Sequence, residues 1–447
     1  MILEQGEVID EIITKIRAGR MTRRTFLERA VAVGLSSTAA VSLLEACGGT
    51  SNSATGGGQT ANINYLAKDT NGVYAGLVST FNKQNNGVHV TYNSNAPNDT
   101  GQLLTILTTM LRARGSTIDI MMMDIIWPAE FGANGWTVPV DSKWPASDRA
   151  NYLPGPIQGC TYNGKLWATP LFTDAGLIYY RTDIISTPPT TWAELTTLAK
   201  AAAPSKTKFG YLWQGAQYEG LVCDFTEVLY GYGGSVLDPN DAKKVIVNSP
   251  EAVAALTLMS SWVGTISPRA VTTYKEEDSR SAWQDGDAAF MRNWPYAYSL
   301  GNDPSSSKIA KKFDVHPMLY GGSNTIGHSS LGGWQLGINA FSKNPDASWK
   351  FVQYMISQTP QTTLATQLSL LSTLKSVYTD PNVLAKNPFF SKMAPIVQTA
   401  QPRPVSPFYP DVSNAIQLRI HNALTKQASP ADALTALAAD LQTIVNK

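Results

Sequence analysis

Apolar residues along this chain recur in two rhythms. Around Ile63-Asn64-Tyr65-Leu66 and Val88-His89-Val90-Thr91-Tyr92 they keep strand spacing, whereas Leu103, Leu104, Leu107 and Leu111 keep helical spacing across 102–112. Residues 118–123 follow as an unbroken apolar run, short enough for a strand buried on both faces. Strand, helix and strand in this order predict an α/β fold with a mostly parallel sheet flanked by helices. Further helices are expected at 191–203, 250–263, 348–357 and 430–446, the last with Leu434, Leu437, Leu441 and Val445 on one stripe. Ser249 followed by Pro250 is an N-cap with proline at the first helical position. No tandem repeat is present.

The N-terminus has a different pattern. Thr22-Arg23-Arg24-Thr25-Phe26-Leu27 precedes an apolar run over 30–44 and then Ala46-Cys47-Gly48, the order of a processed export signal. The apolar run is about 15 residues, against the about 20 that a bilayer-spanning helix needs. The paired arginines resemble a twin-arginine signal, and Leu44-Glu45-Ala46-Cys47 resembles a lipobox with Cys47 as the lipidated residue, although Glu45 is unusual there. Residues 1–20 carry Ile9, Ile12, Ile13 and Ile16 on one helical face; they either extend this signal or precede a start at Met21. Residues 48–61 are rich in Gly, Ser, Thr and Asn and read as a flexible tether. The folded body is expected from residue 62.

Length and charge narrow the classes. The 447 residues suffice for two domains, and 35 Lys+Arg against 34 Asp+Glu leave a net charge of +1, which gives nucleic acid no electrostatic footprint. With 11 Trp and 18 Tyr beside only 15% charged residues, the composition suits ligands with flat, weakly polar faces, although any single aromatic is better read as core. Besides Cys47 the cysteines are Cys160 and Cys223; an oxidising compartment permits a disulfide, and spacing does not decide whether they meet.

Candidate chemistry is sparse. His89, His316, His328 and His421 are scattered without ligand spacing, and no G-x-S-x-G occurs, so neither a metal centre nor a serine hydrolase is expected. Gly159 to Lys165 copies most of a phosphate-binding loop, but Leu166 stands where magnesium needs a hydroxyl, and Asn163-Gly164 is a hairpin turn. Asp124 and Asp174 each follow an apolar run, where ligands of α/β folds bind. Gly332-Gly333-Trp334 would bring backbone amides and an indole to a ligand, Asn293-Trp294-Pro295-Tyr296 sets two aromatics about a rigid turn, and Arg403 sits restrained between Pro402 and Pro404.

Several separated stretches carry a resemblance: 163–170 (NGKLWATP), 173–183 (TDAGLIYYRTD), 213–225 (WQGAQYEGLVCDF), 292–297 (RNWPYA), 331–334 (LGGW) and 402–404 (PRP). In these the chain resembles the extracellular solute-binding proteins of carbohydrate ABC importers, trehalose/maltose-binding members above all. The resemblance implies a two-lobed periplasmic-binding-protein fold (type II-like), each lobe a mostly parallel sheet flanked by helices. Hinge crossings fall near 170–176, 293–297 and 339–346, giving one lobe of 62–170 plus 298–338 and another of 171–297 plus 339–447. It further implies sugar contacts at Asp124, Phe172, Asp174, Trp294, Gly332, Gly333, Trp334 and Arg403, with Tyr296 and Trp127 as weaker carry-overs, no catalytic residue and no cofactor. A monomer tethered by lipid at the outer face of the cytoplasmic membrane, or free in a periplasm, would hand a disaccharide such as trehalose or maltose to permease subunits. The nearest members place a sugar-binding Glu where this chain reads Asp69-Thr70-Asn71-Gly72-Val73-Tyr74; Asp69 or Asn71 substitutes for it, or the sugar differs. Two other readings stand beside this one: a glycoside hydrolase using Asp124 and Asp174 as its carboxylate pair, and a binding protein for a non-sugar solute.

Overall fold

The computed structural model describes residues 60–68, 72–84, 87–97, 99–239 and 241–447, together with Thr25. Apart from Thr25, the export-signal segment lies outside the described residues, as do Cys47, Asp69 and Asn71. The first sheet is built by β1 (Ala61–Leu66), β2 (Val88–Asn93) and β3 (Ile120–Asp124). A short hairpin, β4 (Thr161–Tyr162) and β5 (Lys165–Leu166), then leads into β6 (Thr169–Ala175). Asn163 and Gly164 at its turn both have positive φ, 49° and 73°, as a two-residue hairpin loop requires. After one residue the chain enters β7 (Leu177–Arg181), followed by β8 (Phe209–Leu212), a small ribbon of β9 (Leu237–Asp238) and β10 (Asp241–Val245), then β11 (Ala288–Asn293) and β12 (Phe313–His316). It returns on β13 (Leu331–Ile338) and β14 (Leu371–Ser372).

Two principal sheets result, ordered β14-β6-β13-β3-β1-β2 and β12-β7-β11-β8. They are mixed rather than mostly parallel. Parallel pairing is confined to β1 with β2 and β3, and to β8 with β11, where intervening helices supply the crossovers. β13 runs antiparallel to both β3 and β6, because it carries the chain back from the second sheet against the direction in which β6 left the first. The run 120–123 is apolar throughout because β3 is buried on both faces: Ile120 and Met122 enter one core, Met121 and Met123 the other.

Sheet membership also moves two crossings. β12 pairs with β7 at the edge of the second sheet, so 313–316 do not join the first lobe. The helix Pro345–Ile356 packs on β1, β6 and β13, so this stretch does not join the second. The chain crosses at Gly176, again between β12 and β13, and a third time between the helices Phe390–Thr399 and Tyr409–Leu424. The turn at Pro295 ends β11 and leads into the helix Ala297–Gly301, so it reverses the chain beside the second sheet and does not carry it across.

The three crossings are stitched together. Ser330 and Gln401 form a parallel bridge, the Leu331 amide donates to the Gln401 carbonyl at 2.7 Å, and Ser329 Oγ donates to the Gly176 carbonyl at 2.8 Å. The second lobe's core gathers the helices Glu219–Gly231, Pro250–Trp262, Tyr409–Leu424 and Pro430–Val445, with the expected leucine stripe buried. Ser249 caps the second of these helices through the Ala252 amide. Eight of the eleven tryptophans are buried, and the half-buried three are Trp167, Trp294 and Trp334. Two of those three mark the candidate site.

Candidate functional site

Three neighbouring strands of the first sheet present one group of side chains. Asp124 ends β3 opposite Trp334 of β13, Trp334 lies opposite Phe172 of β6, and Gly332 lies opposite Asp174. From the second lobe come Trp294 and Tyr296, just beyond β11, and Arg403 follows the third crossing. Trp294 reaches the first lobe directly: a methyl group at Gly332 would stand 3.1 Å from its ring and 3.0 Å from Asp174 Cβ. Glycine at 332 therefore admits the indole rather than a ligand amide. Gly333 is required by its own sheet, since its φ is 128° and a Cβ there would come within 2.5 Å of the Phe172 carbonyl oxygen. Trp127 is 1% exposed, stacks on Phe131 and meets Trp334 edge-on at 5.9 Å, so it supports that ring from within the core. Phe172 is likewise a core residue, packed in the large hydrophobic cluster that both lobes contribute to.

Arg403 joins the lobes. One guanidinium nitrogen donates to Asp124 Oδ1 at 3.0 Å and another to Glu219 Oε1 at 2.6 Å, with Glu219 opening the helix Glu219–Gly231. Tyr409 and Ser413 also donate to Glu219. Burial pushes the Glu219 carboxyl upward; Arg403 opposes it and Asp124 adds to it. Asp174 has no such partner: its Oδ1 is buried without a hydrogen bond within the protein, as is Arg403 Nε. Burial holds the Asp174 carboxyl well above its usual range, against the charges of Arg292 and Lys68 and with that of Asp124.

The aromatics are held at their edges and faces. The Trp294 ring lies 3.9 Å from the Arg292 guanidinium, its Nε1 donates to Glu276 Oε1 at 3.3 Å, and its carbonyl accepts from Tyr179 at 2.7 Å. Tyr296 donates to Glu277 at 2.8 Å. Lys68 places its ammonium 4.2 Å from the Trp334 ring centroid, and burial lowers its pKa against the pull of Glu276 and Asp124. At the rim Lys275 pairs with Asp99, a second link between lobes.

The structure thus brings Asp124, Asp174, Trp294, Gly332, Trp334 and Arg403 to the facing edges of the lobes, with Tyr296 beside them, and takes Trp127 and Phe172 into the core behind. The sequence reading missed Lys68, Glu219, Glu276 and Arg292 as site residues. Glu219 and Arg292 lie inside the resembling stretches, and that was their only signal; nothing local distinguishes Lys68 or Glu276. Cys160 and Cys223 are buried and unpaired. Among the described residues no cluster of His, Cys, Asp or Glu could hold a metal ion, and no helix is long and apolar enough to cross a membrane. A surface groove of about 610 Å³ beside Trp144, Asn151 and Lys375 lies apart from this site. Within it Lys375 donates to the Ala150 carbonyl and Ser376 to Gln358.

Comparison with known proteins agrees with this geometry. Residues 57–362 match the model of the bacterial extracellular solute-binding proteins. A probable ABC transporter-binding protein of Deinococcus radiodurans is 39% identical over 362 residues, covering 78% of this chain and 85% of the relative. Among solved structures, maltose-bound MalE3 of T. maritima superposes with a TM-score of 0.81 at 36% identity, covering 86% of this chain and 99% of the other. The GacH receptor of Streptomyces glaucescens, solved unliganded and with acarbose, gives 0.77 at 26% identity, covering 87% and 99%.

Proposed function

The chain belongs to the bacterial extracellular solute-binding protein family, and from that premise we propose that it captures a neutral sugar of disaccharide size between its lobes and delivers it to the permease of an ABC importer. The observation that carries this reading is the pair of buried, unpartnered polar atoms, Asp174 Oδ1 and Arg403 Nε, beside two half-buried indoles. A buried polar atom without a partner costs about 1 to 3 kcal/mol, which a ligand hydroxyl would relieve. Sugars offer C–H faces to indoles and hydroxyls to carboxylate and guanidinium, and the relatives that bind maltose and acarbose support that class.

The mechanism is closure. Asp124 and Arg403 meet across the lobes, so a solute touching both sides stabilises the closed arrangement and shifts the population toward it. Micromolar affinity, about 8 kcal/mol, is ample for this. No turnover is assigned. The family and its relatives bind for transport, and Asp124, one half of the carboxylate pair a hydrolase would use, is committed to Arg403. The same proposal places the protein outside the cytoplasmic membrane as a monomer tethered through lipid on Cys47.

The test is a thermal-shift screen of the purified protein against mono-, di- and trisaccharides, followed by calorimetry. A ligand at about 100 times its dissociation constant adds about 2.7 kcal/mol. Stabilisation by maltose, trehalose or a relative, with no monosaccharide released on long incubation, is the expected result. Stabilisation by another solute class alone overturns the sugar, and released monosaccharide overturns binding without turnover. Loss of surface attachment in Cys47→Ala tests the tether.

A further inference from the structure

We infer that Arg292 is a positioning residue that ties the Trp294 ring to all three hinge crossings, so that contact at the ring is felt at the hinge. The inference deepens the binding reading above and rests on it for its ligand arm only. Arg292 is 1% exposed and faces the Trp294 ring at 3.9 Å. Its edge is forked onto Glu227, Nε to Oε2 and a terminal nitrogen to Oε1, both at 2.7 Å, with Asp224 at 2.9 Å and Gln214 Oε1 at 3.1 Å.

Glu227 is where the ring meets the hinge. Its Oε1 also accepts the amide of Ser330, on the second crossing, at 3.1 Å. Ser330 is bonded to Thr226 through their hydroxyls at 2.7 Å and bridged to Gln401 on the third crossing. The first crossing presses on the same pair: a Cβ at Gly176 would lie 2.0 Å from Glu227 Oε1 and 2.7 Å from an Arg292 terminal nitrogen. Position 176 must be glycine because the ion pair occupies the space a side chain would fill.

Only a guanidinium meets these demands together, since it offers a flat face to the indole and a planar fork to the carboxylate; an ammonium does neither. Stability alone explains the cluster poorly, because apolar residues of similar volume commonly replace buried ion pairs without loss. A link between ring and hinge explains why it lies where it does.

The experiment is hydrogen exchange on the full chain, read over peptides 172–180, 325–335 and 398–404, without ligand and with saturating maltose, trehalose or maltotriose. The variants are Arg292→Lys, Trp294→Ala and Glu227→Gln, with Leu437→Ala in the second lobe's core as a control for lowered stability. Without any ligand, Trp294→Ala and Arg292→Lys are expected to speed exchange at 325–335 by about tenfold beyond the control, the local opening that a lost buried contact allows. With a sugar that slows the hinge peptides of the wild type, Arg292→Lys and Glu227→Gln lose that slowing at saturation while Leu437→Ala keeps it. Should Arg292→Lys not fold, the Trp294→Ala and Glu227→Gln arms decide. Unchanged exchange at 325–335 in ligand-free Trp294→Ala overturns the inference even if maltose binds. Faster exchange there in Trp294→Ala, together with a wild type that binds no saccharide, supports the link and sinks the sugar reading instead.

Discussion

Two buried arginines, each between two carboxylates, do opposite work in this molecule. Arg292 draws Asp224 and Glu227 from one helix of its own lobe, whereas Arg403 draws Asp124 from the first lobe and Glu219 from the second. The first cluster survives any movement of the lobes. In the second, the Arg403–Asp124 contact exists only while they are together, whereas Glu219 keeps Arg403, Tyr409 and Ser413 on its own side. Identical chemistry therefore serves as scaffold in one place and as a closure contact in the other, and the origin of the carboxylates along the chain decides which.

The sharpest way to break this comparison is to remove each guanidinium. Arg292→Met strands two buried carboxylates and is expected to lower unfolding stability by about 3 to 5 kcal/mol in denaturant titration. Arg403→Met should cost clearly less, because Asp124 can hydrate once the lobes open and Tyr409 and Ser413 still donate to Glu219, yet it should weaken sugar binding by about 2 to 4 kcal/mol in calorimetry. Equal losses of stability in both variants would erase the distinction. Next in size, Asp174→Ala and Trp334→Ala are each expected to cost about 1 to 3 kcal/mol of affinity with little loss of stability. Unchanged binding in both places the ligand elsewhere.

Glu130, which feels the charge of Asp411 from the other lobe, extends the contrast to an acid without an ion-pair partner. Glu130 is held up to about 7 by burial, with Arg112 opposing and Asp411 of the other lobe adding, and its Oε2 has no partner. Its folded pKa exceeds the unfolded value, so its contribution is complete below about pH 4.5 and is lost as pH climbs to about 7. Glu130→Gln should match the wild type in Tm near pH 4 and exceed it at pH 8; parallel curves across that window refute the assignment. The smallest effect belongs to Lys275 and Asp99 at the rim, 46% and 24% exposed. Lys275→Ala should change sugar affinity by about 1 kcal/mol at most, and by less at high salt.

Much of the local structure was legible. The stripe Leu434, Leu437, Leu441 and Val445, the Ser249 cap and the Asn163-Gly164 turn follow from spacing and backbone preference within a few residues, and all appear as expected. The candidate site was legible chiefly through its resemblance, and unevenly. Trp334 and the weaker carry-over Trp127 were both expected at the sugar, but one is half-buried at the lobe edge and the other is sealed beneath it. Lys68 and Glu276 gave no signal, because what makes them part of the site is each other's side of the molecule.

Short-range periodicity and motifs that keep their order were enough for the α/β class, for the five helices and three strands placed from spacing, and for the solute-binding family. Only the tertiary structure decided that the sheets are mixed, that the second and third crossings lie after β12 and after the helix Phe390–Thr399, and which arginine spans the lobes. Strand direction and ion pairing join residues far apart along the chain, as Arg403 with Asp124, and such pairings depend on the path of the chain in space, to which local periodicity is blind.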